Sequence, residues 1–441
     1  TNIHIYEKRT AQDLCTTRLE ESYPIGFNAR GRNALQQLLE QNDHQQQRQQ
    51  GQKTQESLQG RIEALGNRVS SWDIFVTSYE YKVASMASGT VQSSTRSAIV
   101  QILLEEVQKR NEITIHYEHA ITSVDAKTKS IVLEKLGDSD NEKSVTVHCD
   151  CLVAAEGYRS VIRTAVESSK QLQVQTFPWN TTFRVLITKP NPETKLDPSV
   201  HHIFSGMYVA RVNDGRWVAV VSCSNDDQNN ILLSQETNPS PDNVQALRSY
   251  IQTRAPSVLE LFTDQDLQDF FTRPTFTGSA VWVSKLYLQD WVVLLGDAAH
   301  AVYPATGEGI NASVEDASVL QSALLMSSDS DSDTQERLQQ ALARFEDMRL
   351  EDSQALSEYA YLLLRPTFKN KLQKIAFKLF GRWLTGSEKL GTNPVQELFF
   401  GPSTEKEVCS YATIMEEYDK QLSSLGGRPR IPPLLAEEED D

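Results

Sequence analysis

Asp297 stands behind a glycine at the end of the apolar run "WVVLL", and the turn that follows carries Pro304, Gly307 and Gly309 before a helix-like pattern begins near Asn311. Each residue type suggests a chemistry. A carboxylate there can accept hydrogen bonds from the hydroxyls of a ligand. Two glycines bring bare backbone close to a flat molecule, because neither has a Cβ to hold it off. A helix that starts at Gly309 to Asn311 points its free amides and positive dipole end at the same place, which favours negative charge. An ordinary turn before a capped helix explains Asp297 or the glycines singly, but not their order together. His300, inside the same stretch, reads as a structural residue.

Such a site needs a strand to end where it begins. "WVVLL" reads as a strand buried on both faces, so Gly296 and Asp297 fall at its carboxyl end, where open α/β sheets bind ligands. The rest of the chain supplies more such elements. "NIHIYEKR" alternates apolar and polar up to Glu7, as a strand does. "RGRNALQQLLEQ" (30–41) reads as a helix, and the Gln-rich tract near 41–60 as a solvated loop or disordered insertion. Residues 94–110 have a Ser/Thr-rich start and apolar Ile99, Ile102, Leu103 and Val107, hence an amphipathic helix. "ITIHYEHAITSVDAKTKSIVLEKL" alternates as two strands, and "HCDCLVAAEGYRSVIRTAV" reads as a buried strand, a turn at Gly157 and a helix. Residues 170–285 look β-rich and low in helix signals, with a hairpin turned at Asn213-Asp214-Gly215.

The expected fold is therefore α/β: a Rossmann-like three-layer domain in two parts, 1–169 and 286–360, with an inserted β-sheet domain at 170–285. A C-terminal helical region, 361–441, ends in an acidic tail. Composition narrows the function. A formal net charge of −16 argues against nucleic acid as a partner, since an acidic surface repels phosphates. Five cysteines in 441 residues make no disulfide framework and point to an intracellular, reducing compartment, cytoplasmic or at an organelle membrane. Cys149 and Cys151 read as ordinary packing, and no metal site is expected.

The stretch "GDAAHAVYPATGEGINASVEDA" closely resembles the flavin-contacting motif of the class A flavoprotein monooxygenases, the FAD-dependent hydroxylases of the p-hydroxybenzoate hydroxylase fold. The resemblance implies that Asp297 contacts the ribitol of FAD, that Pro304, Gly307, Gly309 and Asn311 line the isoalloxazine, and that Gly296 and Ile310 are also cofactor-binding. "CLVAAEGYRSVIR" resembles the second motif of the family, with Glu156, Gly157, Ser160 and Arg163 in its places; Glu156 stands where the family has Asp and so has a longer reach. Arg96 matches an arginine that approaches FAD, and Glu7 ends a strand where dinucleotide folds hold the adenosine ribose. Within the family the likeness is greatest to the kynurenine 3-monooxygenases: "ESYPIGFNARGRNAL", with Arg30 as a cofactor-binding candidate, and "FEDMRLEDSQALSEYA" resemble their patterns. The implied cofactors are FAD and NADPH, and the implied partners are dioxygen and a small aromatic or apolar cyclic substrate. In the implied chemistry NADPH reduces FAD, dioxygen adds at flavin C4a, and one oxygen passes to an electron-rich ring. The cofactor carries that step, so no catalytic side chain is assigned.

The chain also departs from the pattern. An acidic ribose ligand belongs about 20 residues after a GxGxxG turn, yet only six residues precede Glu7 and no GxGxxG occurs. The sequence is therefore expected to be a piece of a longer product; the alternative is a chain that has lost its pyrophosphate cradle and serves as a binding or regulatory protein. Leu362, Leu363 and Leu364 lie where kynurenine 3-monooxygenases have polar residues that hold a substrate carboxylate, so a more apolar substrate is expected. A reductase or epoxidase of the same fold is the other enzymatic alternative. Residues 366–385 pattern as a basic amphipathic helix, which either caps the active-site funnel or makes peripheral contact with a membrane.

Overall fold

The computed structural model describes residues 2–15, 23–46, 60–61, 64, 66–76, 81–136, 144–227, 232–234, 238–327, 333–362 and 408–424. The architecture is the mixed α/β one expected. Strand Ile3–Glu7 pairs in parallel with Ile113–Tyr117, and Leu152–Ala154 pairs in parallel with Val292–Leu294. Trp291 and the strand that follows it are fully buried, against Ile131, Leu152, Ile162, Val166 and Phe345. Each such side chain contributes on the order of 1.5–3 kcal/mol. This packing fixes the strand end on which Gly296 and Asp297 sit.

Where two strands were expected after residue 112, the chain makes three: Ile113–Tyr117, His119–Asp125 and Ser130–Lys135. Glu118 adopts φ 60°, a left-handed conformation that turns the chain out of one sheet and into the next. His119–Asp125 and Ser130–Lys135 then form an antiparallel meander with Ser144–His148.

The second sheet has seven strands, ordered Thr181–Ile187, Trp217–Ser224, Met207–Arg211, Val200–Phe204, Asn67–Val76, Tyr81–Ser94 and Ile25–Phe27. Three of them come from before residue 95, so residues 170–285 do not build this sheet alone. The expected hairpin is present, with Gly215 at φ 85° in its turn. Period-two alternation divides the sheet faces. Leu186, Val209, Ala219 and Val221 pack outward against three helices, Pro241–Gln252, Pro256–Leu259 and Asp264–Phe270, while Val185, Ile187 and Val218 face Tyr23. These helices correct the expectation of a segment low in helix. Their signals are in the sequence: Ser240 caps Asn243 ahead of Pro241, and Thr263 with Asp266 forms a capping box.

Thr95 caps the helix Arg96–Val107, accepting from the Ala98 amide at 3.3 Å. Its inward side chains are Ile99, Ile102 and Leu104, with Leu103 on the solvent side instead. The helix Ala29–Gln46 continues through the first six residues of the tract expected to be a loop; residues 47–59 lie outside the described ones. Helices Gly309–Met326 and Thr334–Leu362 pack together, and the C-terminal helix Tyr411–Ser424 packs on the latter through Ile414, Met415 and Tyr418 against Leu356 and Tyr359. Among the described residues no helix is long and apolar enough to cross a membrane, and no cluster could hold a metal ion. The basic helix of residues 366–385 and the acidic tail lie outside the described residues.

Candidate cofactor site

Strand Val292–Leu294 ends in a turn that only glycine fits. Gly296 holds φ 56° and ψ −139°, and a Cβ there would lie 2.8 Å from Ser313 Oγ. Its amide donates to Asp316 Oδ2 at 2.7 Å, tying the strand end to the helix Gly309–Met326. Asp297 opens the four-residue helix that follows. It keeps accessible surface yet is ringed by protein, as a residue on a cleft floor is. That burial pushes its carboxyl pKa up, against the pull of His300 and Arg96. Arg96 is thus brought to Asp297 from a distant helix. Tyr23 joins them, its hydroxyl pushed up by burial and by the Asp297 charge.

On the other side, Pro304–Thr306 makes one 3₁₀ turn ending at Gly307, which is left-handed at φ 68°. A Cβ on Gly307 would meet no atom within 4 Å, and one on Gly309 would lie 3.7 Å from Asp297 Oδ1. The carboxylate thus lies beside the bare backbone of Gly309, with Gly307 open on the same turn. No side chain caps the Gly309 helix, so its first amides are available to a ligand. Ile310 anchors that end by packing against Phe27, Leu35 and Ile102. Aromatic rings back the turn: Trp179 stacks on Tyr303 at 5.7 Å, and Tyr23 meets Phe183 edge-on at 5.5 Å. A hydroxyl-binding carboxylate, an uncapped helix start and an open glycine face suit the ribityl chain and flat ring of FAD.

The other expected cofactor residues engage protein atoms. The Asn311 side chain is fully buried: Oδ1 accepts from the Asn28 amide at 3.0 Å, and Nδ2 donates to Gly26 O and Gly307 O at 3.0 and 2.9 Å. It braces the turn from behind, so only its backbone could face a ring. Glu156 accepts from Ser160 Oγ at 2.7 Å and the Ile162 amide at 2.9 Å, at the start of helix Val161–Glu167. Gly157, at φ 92°, makes the expected turn before it. Arg163 donates to Ala298 O at 2.8 Å and to Tyr158 O, so it ties this helix to the one that Asp297 opens. Glu7 stands at the end of its strand but is paired with Arg9 at 2.9 Å. Arg30 is buried, paired with Glu315 at 2.9 Å and stacked on Tyr411 at 3.8 Å.

Sequence reasoning missed a network of ionisable side chains, most of them buried, behind the turn. His300 Nε2 lies 2.7 Å from Asp316 Oδ2, Arg349 donates to Asp316 Oδ1 at 2.8 Å, and Arg349 Nη1 lies 2.7 Å from Glu315. Burial alone would raise the Asp316 carboxyl, but His300, Arg349 and the Gly296 amide together hold it at about 2. Glu308, between the two glycines, is also buried; Asn28 Nδ2 donates to one oxygen at 2.9 Å and Tyr411 OH to the other at 2.7 Å. Glu315, Asp316 and Arg349 lie in stretches already singled out, and their signal was charge at inward helical positions. Nothing local marks Tyr411.

A family model described as FAD binding domain matches residues 40–346. The chain is 24% identical over 277 residues to a kynurenine 3-monooxygenase of Neurospora crassa, covering 58% of this chain and 54% of that one. It is 27% identical over 304 residues to the enzyme of the same name from Aspergillus terreus, covering 65% and 59%. The chain thus spans less than two thirds of these relatives' length. Its fold is similar to that of a probable FAD-dependent monooxygenase from Pseudomonas aeruginosa, with a TM-score of 0.57 and 16% identity over 82% of this chain and 88% of that one. Klebsiella pneumoniae HpxO, solved with FAD and uric acid, gives a TM-score of 0.61 and 15% identity over 91% and 97%.

Proposed function

The chain belongs to the FAD binding domain family and is a homologue of class A flavin monooxygenases, close to the kynurenine 3-monooxygenases, and from this premise we propose that it hydroxylates a small aromatic or apolar cyclic molecule. FAD, when bound, would supply the redox chemistry, with NAD(P)H as electron donor and dioxygen as oxygen source. The observation that carries the reading is the approach of Gly309 to the Asp297 carboxylate, with the open face of Gly307 beside them. Asp297 would hold hydroxyls of the ribityl chain, with Arg96 close by to balance its charge. The amides of Gly309 and Ile310 and the dipole of their helix would favour negative charge on the ring system. Tyr23, Phe183, Trp179 and Tyr303 would exclude water and offer faces on which an aromatic substrate stacks. The free thiols of Cys149, Cys151 and Cys223 fit a reducing compartment.

The test is a FAD titration of the chain read by flavin absorbance, then NADPH and NADH oxidation with oxygen uptake across a panel of aromatic and apolar cyclic compounds. Substrate-stimulated oxidation coupled to a hydroxylated product is the expected result. Flavin uptake with no oxidation of either nicotinamide would refute the enzymatic reading and leave a flavin-fold binding protein. No flavin uptake would refute the cofactor assignment itself.

A further inference from the structure

Glu308 carries the one side chain within the Gly307–Gly309 turn, whose backbone is also held by Asn311 at Gly307 O, Ser313 at Gly309 O and Thr306 at the Glu308 amide. Both of its oxygens accept hydrogen bonds, as a carboxylate does, with the Asn28 amide on one and the Tyr411 hydroxyl on the other. Burial pushes the Glu308 carboxyl up, and the Arg30 guanidinium, stacked on the Tyr411 ring at 3.8 Å, supplies a countercharge that partly opposes this. Asn28 comes from beside strand Ile25–Phe27, while Tyr411 comes from the C-terminal helix, more than one hundred residues after the turn it touches. That helix docks without help from this bond, through Ile414, Met415 and Tyr418 on Leu356 and Tyr359. The hydroxyl of Tyr411 is therefore a separable part of the contact, aimed at the turn rather than needed to seat the helix.

We infer that Tyr411 is a positioning residue of the cofactor site: by donating to Glu308 it fixes the Gly307–Gly309 turn, so that the C-terminal helix shapes the backbone facing the flavin. The inference rests on the reading of this turn as the flavin face. Without the hydroxyl, one oxygen of a buried carboxylate has no donor, and a group so desolvated draws its backbone toward water. Such movement falls on Gly307 and Gly309, which offer the least resistance to a change of dihedral angles.

Amide hydrogen exchange of the full chain, without FAD, tests the link in Tyr411→Phe, Glu308→Gln and the double variant, with Tyr418→Phe as a control on the same helix. Tyr411→Phe is expected to speed exchange across 304–313 roughly tenfold, the effect of one charge-assisted hydrogen bond, while residues 414–424 change little. Because the two side chains act through one bond, the double variant should loosen the turn no more than the larger single effect. Tyr418→Phe should leave 304–313 unchanged. The inference is overturned by additive effects, or by Tyr411→Phe loosening 414–424 as much as the turn. A FAD titration of the same variants separates the two readings. Wild-type chain that takes up no FAD sinks the flavin assignment, and the exchange cycle then decides the Tyr411–Glu308 link by itself. Equal FAD affinity in wild type and Tyr411→Phe, with the turn loosened, refutes the role of Tyr411 at the cofactor.

Discussion

Alanine at Gly307 and at Gly296 separates a glycine needed for a ligand from one needed for the fold. Both have positive φ, so both substitutions strain the backbone, but their surroundings differ. Gly307, at φ 68° and ψ 4°, is in the left-handed region, where a side chain costs about 1–2 kcal/mol. The loss of unfolded-chain freedom returns roughly 0.4–1 kcal/mol, and the new Cβ touches nothing within 4 Å. The net destabilisation of the ligand-free chain should be about 1 kcal/mol or less. Gly296, at φ 56° and ψ −139°, is close to a region that is nearly glycine's alone, at about 1–3 kcal/mol. Its Cβ would also fall 2.8 Å from Ser313 Oγ and 3.3 Å from Ser313 Cβ, forcing the Gly309 helix away. Gly296→Ala should therefore lose about 2 kcal/mol more than Gly307→Ala in urea unfolding. If the flat ring lies on this turn, the Gly307→Ala methyl enters its space and should weaken FAD by about tenfold, or roughly 1.4 kcal/mol. Gly307→Ala binding FAD as wild type does would show that the flat ring lies elsewhere. Equal unfolding free energies for the two variants would show that the Ser313 contact does not constrain the strand end.

Other perturbations address the charges. Arg349→Met leaves the buried Asp316 without its guanidinium and Glu315 with Arg30 alone, and should lower the unfolding free energy by about 3–5 kcal/mol; a loss under 1 kcal/mol, on the scale of a surface pair, would count against the network. The Asp316 carboxyl is held at about 2, below its ordinary 3.8, so its contribution is complete above pH 3.8 and is lost as pH falls through about 2. Across that window wild type should lose about 2 kcal/mol that Asp316→Asn does not; parallel acid-unfolding curves would contradict the assignment. Asp297→Asn keeps the size of the side chain but removes its charge beside Arg96, and should raise the Kd for FAD by roughly tenfold, as calorimetry would report. An unchanged Kd would remove Asp297 from the cofactor contacts.

Elements whose signals are local were legible in the amino-acid order alone. An apolar run reaching Gly296-Asp297, glycines at 307 and 309 and a helix with a Ser/Thr-rich start within 94–110 are set by backbone sterics and by pairing between near neighbours, and each is found where the pattern put it. Arg96 was singled out by resemblance as a residue near FAD, and in the fold its charge acts on Asp297. Local pattern failed where long-range packing chose among allowed states. Glu118 broke an apparent two-strand run into separate sheets, and strands from before residue 95 joined a sheet otherwise formed by later residues, because strand pairing depends on which edges meet. Only the tertiary structure decided what the polar residues do. Asn311 and Arg163 face inward to hold the turn and the strand end, and Glu308, to which the sequence reading gave no role, is buried under a tyrosine from the C-terminal helix. A charged side chain has no periodic signature, and whether it meets water or a partner depends on segments far apart in the chain.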